Sequence, residues 1–235
     1  MPVIVEMWAD VVCPWCYLGR ARLREAVDGF EHADQVTIVH RAFELNPGAL
    51  PGQGDLMLDV LQERYGFGEA EAQAAEDRVG GLAAEVGLPF AGGRHTGNSL
   101  DAHRLLHLAL DRGGAATQHA LTEALMSAHF VDVHDVSDHA VLRETAIGVG
   151  LEAAEVDEVL AGDRYREAVS ADIEQARAYG AGGVPFFVFE GAYAVSGAQP
   201  VEVFADVLDQ VWQATRPAPL PVVAGGEVCG PGGCD

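Results

Sequence analysis

The chain has 235 residues, 49% of them apolar, with 36 acidic and 14 basic residues giving a formal charge of −22. Every one of those 14 bases is arginine, which excludes Schiff-base lysines, lysine general bases and the lysine-dependent phosphate loop. The acidity argues against nucleic acid and anionic membrane surfaces as partners, and no apolar run is long enough to span a bilayer.

In chain order, residues 3–9 read as a short, mostly buried strand, and a helix opens behind it with Pro14 in its first turn and Leu18, Leu23, Ala26 and Val27 on an apolar face. A second strand runs from Val36 to Phe43, followed by a Pro- and Gly-rich loop from Asn46 to Gly54. From Asp55 to Tyr179 the pattern is helical, in segments near 55–65, 69–86, 98–112, 115–130, 138–149, 152–161 and 164–179. Asn98 and Ser137 are expected as caps, and Gly113 and Gly180 as stops. Strand signals return at Phe186–Phe189, turn at Glu190-Gly191 into Tyr193–Val195, and Pro200 opens an amphipathic helix carrying Phe204, Val207, Leu208 and Val211. The order is βαβ, helical block, ββα. One α/β domain (1–54 with 180–216) is interrupted by an inserted helical domain (55–179) and followed by a Pro/Gly-rich tail (217–235).

The four cysteines lie at 13, 16, 229 and 234, paired at the two ends of the chain. Cys13-Pro14-Trp15-Cys16 falls between a strand and a helix. Free N–H groups and the positive end of the helix dipole there favour a thiolate at the first cysteine. The second sulfur lies one helical turn on, placed to attack a mixed disulfide on the first, so Cys13 reads as nucleophile and Cys16 as resolving thiol. A zinc half-site or two core cysteines are the alternatives, and the strand-then-helix setting favours redox chemistry. Far along the chain, Val184-Pro185 stands directly before a strand. Its peptide bond is a candidate for the cis form, which would expose the Val184 backbone to an extended substrate; a trans proline that only starts the strand is the alternative.

These residues resemble thioredoxin-fold oxidoreductases of the DsbA type. The segments Asp10–Gly19, Asn98–His107 and Val195–Pro200 resemble, more narrowly, the FrnE-like dithiol–disulfide isomerases, and the resemblance covers essentially the whole chain. It implies a thioredoxin fold with a large inserted α-helical domain, a nucleophilic Cys13, a resolving Cys16 and a cis Val184-Pro185 bond. Catalysis would rest on Cys13, Cys16 and Pro185. Substrate would be held by Pro14, Trp15, Val184, Asn98 and His103. The partners implied are protein or peptide disulfides and a thiol reductant or oxidant of the thioredoxin or glutathione systems, with no cofactor and no metal. The related hydroxychromene-carboxylate isomerases and kappa-class glutathione transferases usually carry serine at the first cysteine position and an acidic pair after the late glycine. Here Cys13 and Ala198-Gln199 stand instead. A glutathione-dependent isomerase or transferase, and a non-enzymatic holdase, are the rival readings.

Cys229 and Cys234 flank Gly-Pro-Gly-Gly, which can turn tightly enough for a small-loop disulfide. The expectation is a second redox pair exchanging with Cys13-Cys16; an inert tail and a four-sulfur zinc site are its rivals. His103 and His107, four apart on one helix, read as buried hydrogen-bonded histidines in preference to a metal pair. Asp10 reads as a cap or strand terminator, with proton transfer from Cys16 as the alternative, and Arg20, Arg22 and Arg24 as solvent-facing charges. Residues 1–6 carry no basic segment followed by an apolar one, so a cytoplasmic location is expected, where a dithiol is catalytic in preference to structural.

Overall fold

The computed structural model describes residues 2–52, 54–215, 229–230 and 233–234. Strand β1 (Val3–Ala9) leads into helix α1 (Pro14–Asp28), a 3-10 turn (Ala33–Gln35) and strand β2 (Val36–Ala42). Six helices follow before the chain returns to the sheet: α2 (Met57–Tyr65), α3 (Glu69–Glu85), α4 (Leu100–Phe130), α5 (His139–Gly148), α6 (Ala153–Ala161) and α7 (Arg166–Ala178). Strands β3 (Phe186–Phe189) and β4 (Tyr193–Ser196) form a hairpin, and α8 (Val201–Thr215) closes the domain.

The sheet order is β2-β1-β3-β4, with β1 parallel to β2 and antiparallel to β3. The two-residue period of a strand sends alternate side chains to opposite faces. Val3, Val5, Met7, Phe187 and Phe189 therefore pack with α1 and α8, while Trp8, Phe186 and Val188 pack with Ala176 of α7 on the other face. The helical block has its own core, built from α4, α5 and α6, and Val11 reaches into it from the turn before Cys13. Met126 and Phe130 of α4 join the sheet-facing core instead. Val11 and the end of α4 thus tie the insertion to the domain that bears the cysteines.

The expected break near Gly113 is present: at Gly114 the chain leaves helical geometry, with φ of 68° and ψ of −168°, so α4 is two helical stretches joined at a glycine. Two details differ from the sequence reading. Ser137 is not the cap of α5. Asp138 takes that place and accepts from the Ala140 N–H at 2.7 Å, while the Ser137 hydroxyl donates to Asp135. Ser99, not Asn98, is the N-cap residue of α4. Asn98 sits one position earlier and accepts from the Leu100 N–H at 3.0 Å, an Asx turn that still feeds the helix start.

Candidate active site

At the end of β1 the chain turns through Asp10, Val11 and Val12. The Cys13 N–H donates to the Asp10 carbonyl at 3.1 Å. Cys13 is the N-cap residue of α1, with Pro14 in the first turn and no acidic side chain there. Pro14 has no N–H to leave unsatisfied, and the dipole at this end favours negative charge. The Cys13 carbonyl accepts from both the Cys16 and Tyr17 N–H groups at 3.0 Å, which fixes the turn between the sulfurs.

Both cysteines are free thiols. Cys13 keeps 4% of its surface and Cys16 none, so a substrate reaches only the first. Burial pushes the Cys16 thiol well above the ordinary thiol range, and the hydrogen bond with Cys13 and the charge on Cys13 push the same way. The Val184-Pro185 bond is cis, and the Cys13 thiol donates to the Val184 carbonyl at 3.9 Å. Trp15, 38% exposed, stands beside the pair, with Pro14 and Val184 half-buried around it. The structure thus brings Cys13, Pro14, Trp15, Cys16, Val184 and Pro185 together.

Asn98 and His103 occupy a second layer. The Asn98 amide donates to the Ala49 carbonyl at 2.9 Å, tying the loop after β2 to the start of α4. His103 is buried, and its Nε2 lies 3.1 Å from the Phe43 carbonyl and 3.7 Å from Asp10 Oδ1. His107 lies 2.9 Å from Asp172 and belongs to the α4–α7 packing, away from the dithiol. Asp10 is buried and accepts from the Leu45 N–H at 2.8 Å and the Val12 N–H at 3.3 Å. It holds the loop after β2 against the dithiol turn, as a carboxylate that terminates a strand does. Among the described residues no group of three or more metal-ligating side chains converges.

The arginines of α1 are committed elsewhere. Arg20 is buried, contrary to the solvent-facing expectation, and donates to Glu123 at 2.6 Å because α4 packs over it. Arg22 donates to the Ala198 carbonyl at 2.7 Å, and Arg24 pairs with Asp28.

Two features escaped the sequence reading. A Cβ at Gly19 would lie 2.9 Å from Pro185 Cγ and 3.2 Å from Phe187 Cζ, so this glycine lets the proline turn sit down on α1. Glycine in a helix interior disfavours the helix, and that was the available signal. Leu45 and Leu50, in the loop held by Asp10 and Asn98, are 49% and 59% exposed; apolar residues inside a Pro- and Gly-rich loop were the clue. Cys229 and Cys234 are register partners in a two-stranded ribbon, β5 (Cys229–Gly230) and β6 (Gly233–Cys234); the rest of the tail lies outside the described residues.

Comparison with known proteins agrees with the fold. The family model for the DSBA-like thioredoxin domain matches residues 4–209. A solved structure described as a probable DsbA oxidoreductase from Streptomyces coelicolor is 44% identical, with a TM-score of 0.87 over 99% of this chain and 98% of that one. The cytosolic disulfide reductase DsbM from Pseudomonas aeruginosa shares the fold at 17% identity and a TM-score of 0.60, over 90% of this chain and 100% of its own. Protein YwbO of Bacillus subtilis (strain 168) is 25% identical over 212 residues, 87% of this chain and 94% of its own length. With its sheet, its inserted helices and a family match spanning nearly all of both, the chain belongs to the DSBA-like thioredoxin domain family.

Proposed function

We propose that the chain is a thiol–disulfide oxidoreductase acting on protein or peptide disulfides through Cys13 and Cys16. The observation that carries this reading is the pair of free thiols at the first turn of α1, one reachable and one buried, with the Val184 carbonyl 3.9 Å from the first. The Cys13 thiolate attacks a substrate disulfide. The substrate S–S bond breaks, a mixed disulfide forms on Cys13, and one substrate thiol leaves. Cys16 then gives up its proton and attacks the Cys13 sulfur, releasing the second substrate thiol and leaving a Cys13–Cys16 disulfide. A thiol reductant of the thioredoxin or glutathione type restores the pair; the reverse sequence oxidises, and attack followed by release without resolution isomerises.

The Val184 backbone offers an extended substrate strand its pairing groups, and Trp15, Leu45 and Leu50 offer apolar surface beside them. Asn98 and His103 act on substrate indirectly, by holding the loop that carries Leu45 and Leu50. The work is assigned to the cytoplasm, and among the described residues no helix is long and apolar enough to cross a membrane. The register pairing of Cys229 with Cys234 supports a second dithiol that exchanges with the first.

Insulin reduction and reactivation of scrambled ribonuclease test the reading. Both activities are expected to disappear in a Cys13→Ser variant, and turnover that survives the substitution would refute the assignment.

A further inference from the structure

The Val184-Pro185 turn is faced by Cys13 and held from behind by the end of β4. The Gly197 N–H donates to the Pro185 carbonyl at 2.8 Å, so the turn that follows β4 carries the proline turn with it. Gly197 has a φ of 82°, which suits a glycine and swings the chain from β4 toward α8. The Gln199 N–H then donates to the Gly197 carbonyl at 2.9 Å, and its side-chain amide donates to the Ser196 carbonyl at 2.8 Å. These bonds close residues 196–199 into one compact unit against Pro185.

Helix α1 touches this unit twice. At Gly19 the helix comes so close that an added Cβ would lie 2.9 Å from Pro185 Cγ and 3.4 Å from the Ala198 Cα. Three residues on, along the same helix face, Arg22 Nη1 donates to the Ala198 carbonyl at 2.7 Å. Its neighbours in the helix, Arg20 and Arg24, pair with the carboxylates of Glu123 and Asp28. Arg22 instead reaches a backbone carbonyl 176 positions away, in the charge-assisted distance range. It stands at the far end of a line of contacts through Ala198, Gly197 and Pro185 to Val184, whose carbonyl is 3.9 Å from the Cys13 sulfur.

We propose that Arg22 is a positioning residue for substrate: its bond to Ala198 holds the Val184-Pro185 turn down on α1, where the Val184 backbone can pair with a peptide whose disulfide lies over Cys13. The proposal deepens the dithiol reading above and rests on it. A peptide strand gains full affinity from main-chain hydrogen bonds only where the receiving groups are already placed. A turn free to lift from α1 loses part of that binding in ordering itself. Arg22 takes no part in the sulfur chemistry, because nine residues of helix put it about 13 Å beyond Cys13 along α1. The substrates that depend on it are therefore peptide and protein disulfides. Small disulfides without backbone amides are indifferent to it.

Two substrates separate this role from general support of the fold: a dye-labelled peptide dimer joined by one disulfide, and hydroxyethyl disulfide, which has no peptide groups. Dithiothreitol regenerates the dithiol in both assays. Arg22→Met keeps an aliphatic stem and removes the donors. It is expected to raise KM for the peptide at least about fivefold with kcat within about twofold, the pattern of lost binding, and to leave the small disulfide within about twofold. Arg22→Lys, which retains a donor, is expected to fall between the parent and Arg22→Met. The Gly197 amide is expected to exchange with solvent at least about fivefold faster in Arg22→Met, with the β1 amides unchanged, a readout independent of redox activity. An unchanged peptide KM or an unchanged Gly197 exchange rate overturns the proposal. So does an equal loss for both disulfides, which would make Arg22 a support of the whole domain. Turnover that survives Cys13→Ser would instead bring down the dithiol reading, with the Gly197 exchange unaffected.

Discussion

The Cys13 sulfur and the Val184 carbonyl oxygen stand 3.9 Å apart although 171 positions separate the two residues in the chain. The sheet creates this proximity, because β1 delivers Cys13 at its end and β3 begins directly after Pro185. Cys13 is the only one of the two thiols with any exposed surface, and burial holds Cys16 in its protonated form. Iodoacetamide at neutral pH is therefore expected to label Cys13 in the reduced protein and to spare Cys16 until the chain is unfolded. A Cys16→Ser variant is expected to accumulate the mixed disulfide with substrate, seen by mass spectrometry; equal labelling of both thiols would contradict the geometry.

Gly19→Ala sets two effects against each other. Alanine favours a helix interior by about 1 kcal/mol. The added methyl would stand 2.9 Å from the Pro185 ring and 3.2 Å from Phe187, both buried, and overpacking of this kind costs about 1–3 kcal/mol. Crowding is expected to win, lowering the urea midpoint and the insulin-reduction rate together as the Pro185 turn lifts from α1. A variant at least as stable as the parent, with full turnover, would remove this role.

Asp172 gathers three neighbours in a buried position: the Ala42 N–H at 2.9 Å, His107 Nε2 at 2.9 Å and Arg41 Nη1 at 3.5 Å. Its own carbonyl accepts from the Trp8 indole at 2.7 Å. Asp172→Ala leaves a buried N–H without an acceptor and strips a charge partner from Arg41. A loss of about 2–5 kcal/mol is expected from chemical denaturation, with the dithiol chemistry retained in the folded fraction. A cost under about 0.5 kcal/mol, the scale of an ordinary surface substitution, would mean the cluster is not structural.

Acid should weaken the fold through two buried histidines. Burial lowers His40 to about 3, helped by His119 and Arg20, and lowers His129 to about 4, helped by Arg94. Below about pH 6.5 the unfolded chain takes up protons at both positions that the folded chain refuses. Stability from these groups is present above that pH and is lost as pH falls toward 4. The slope reaches roughly 1.4 kcal/mol per pH unit for each histidine. His129→Gln is expected to flatten the denaturation free energy between pH 6.5 and 4.5 by about that amount per unit, and an unchanged slope would sink the assignment.

Much of the fold was legible because it follows local rules. The apolar run in Val3–Ala9, the apolar stripe of α8 and the helical periods of the insertion each report on a neighbourhood of a few residues, and their elements lie within a few residues of where the pattern puts them. The break between the two stretches of α4 was legible in the same way, since the adjacent Gly113 and Gly114 interrupt the helical pattern and Gly114 takes up a non-helical conformation. Arg20 was misread as exposed, since its burial depends on α4 crossing above it.

By itself the sequence determined the dithiol, its place between a strand and a helix, and the proline turn that answers it, since these depend on covalent spacing and first-turn electrostatics. The tertiary structure decided which sulfur can be touched, that Gly19 makes room for Pro185, that Asp10 and Asn98 anchor the loop carrying Leu45 and Leu50, and that Gln118 covers the outward edge of β2 at His40. Those facts depend on which distant surfaces meet. Burial, close approach and edge pairing are properties of segments from 35 to 171 positions apart, and no local pattern in the chain encodes them.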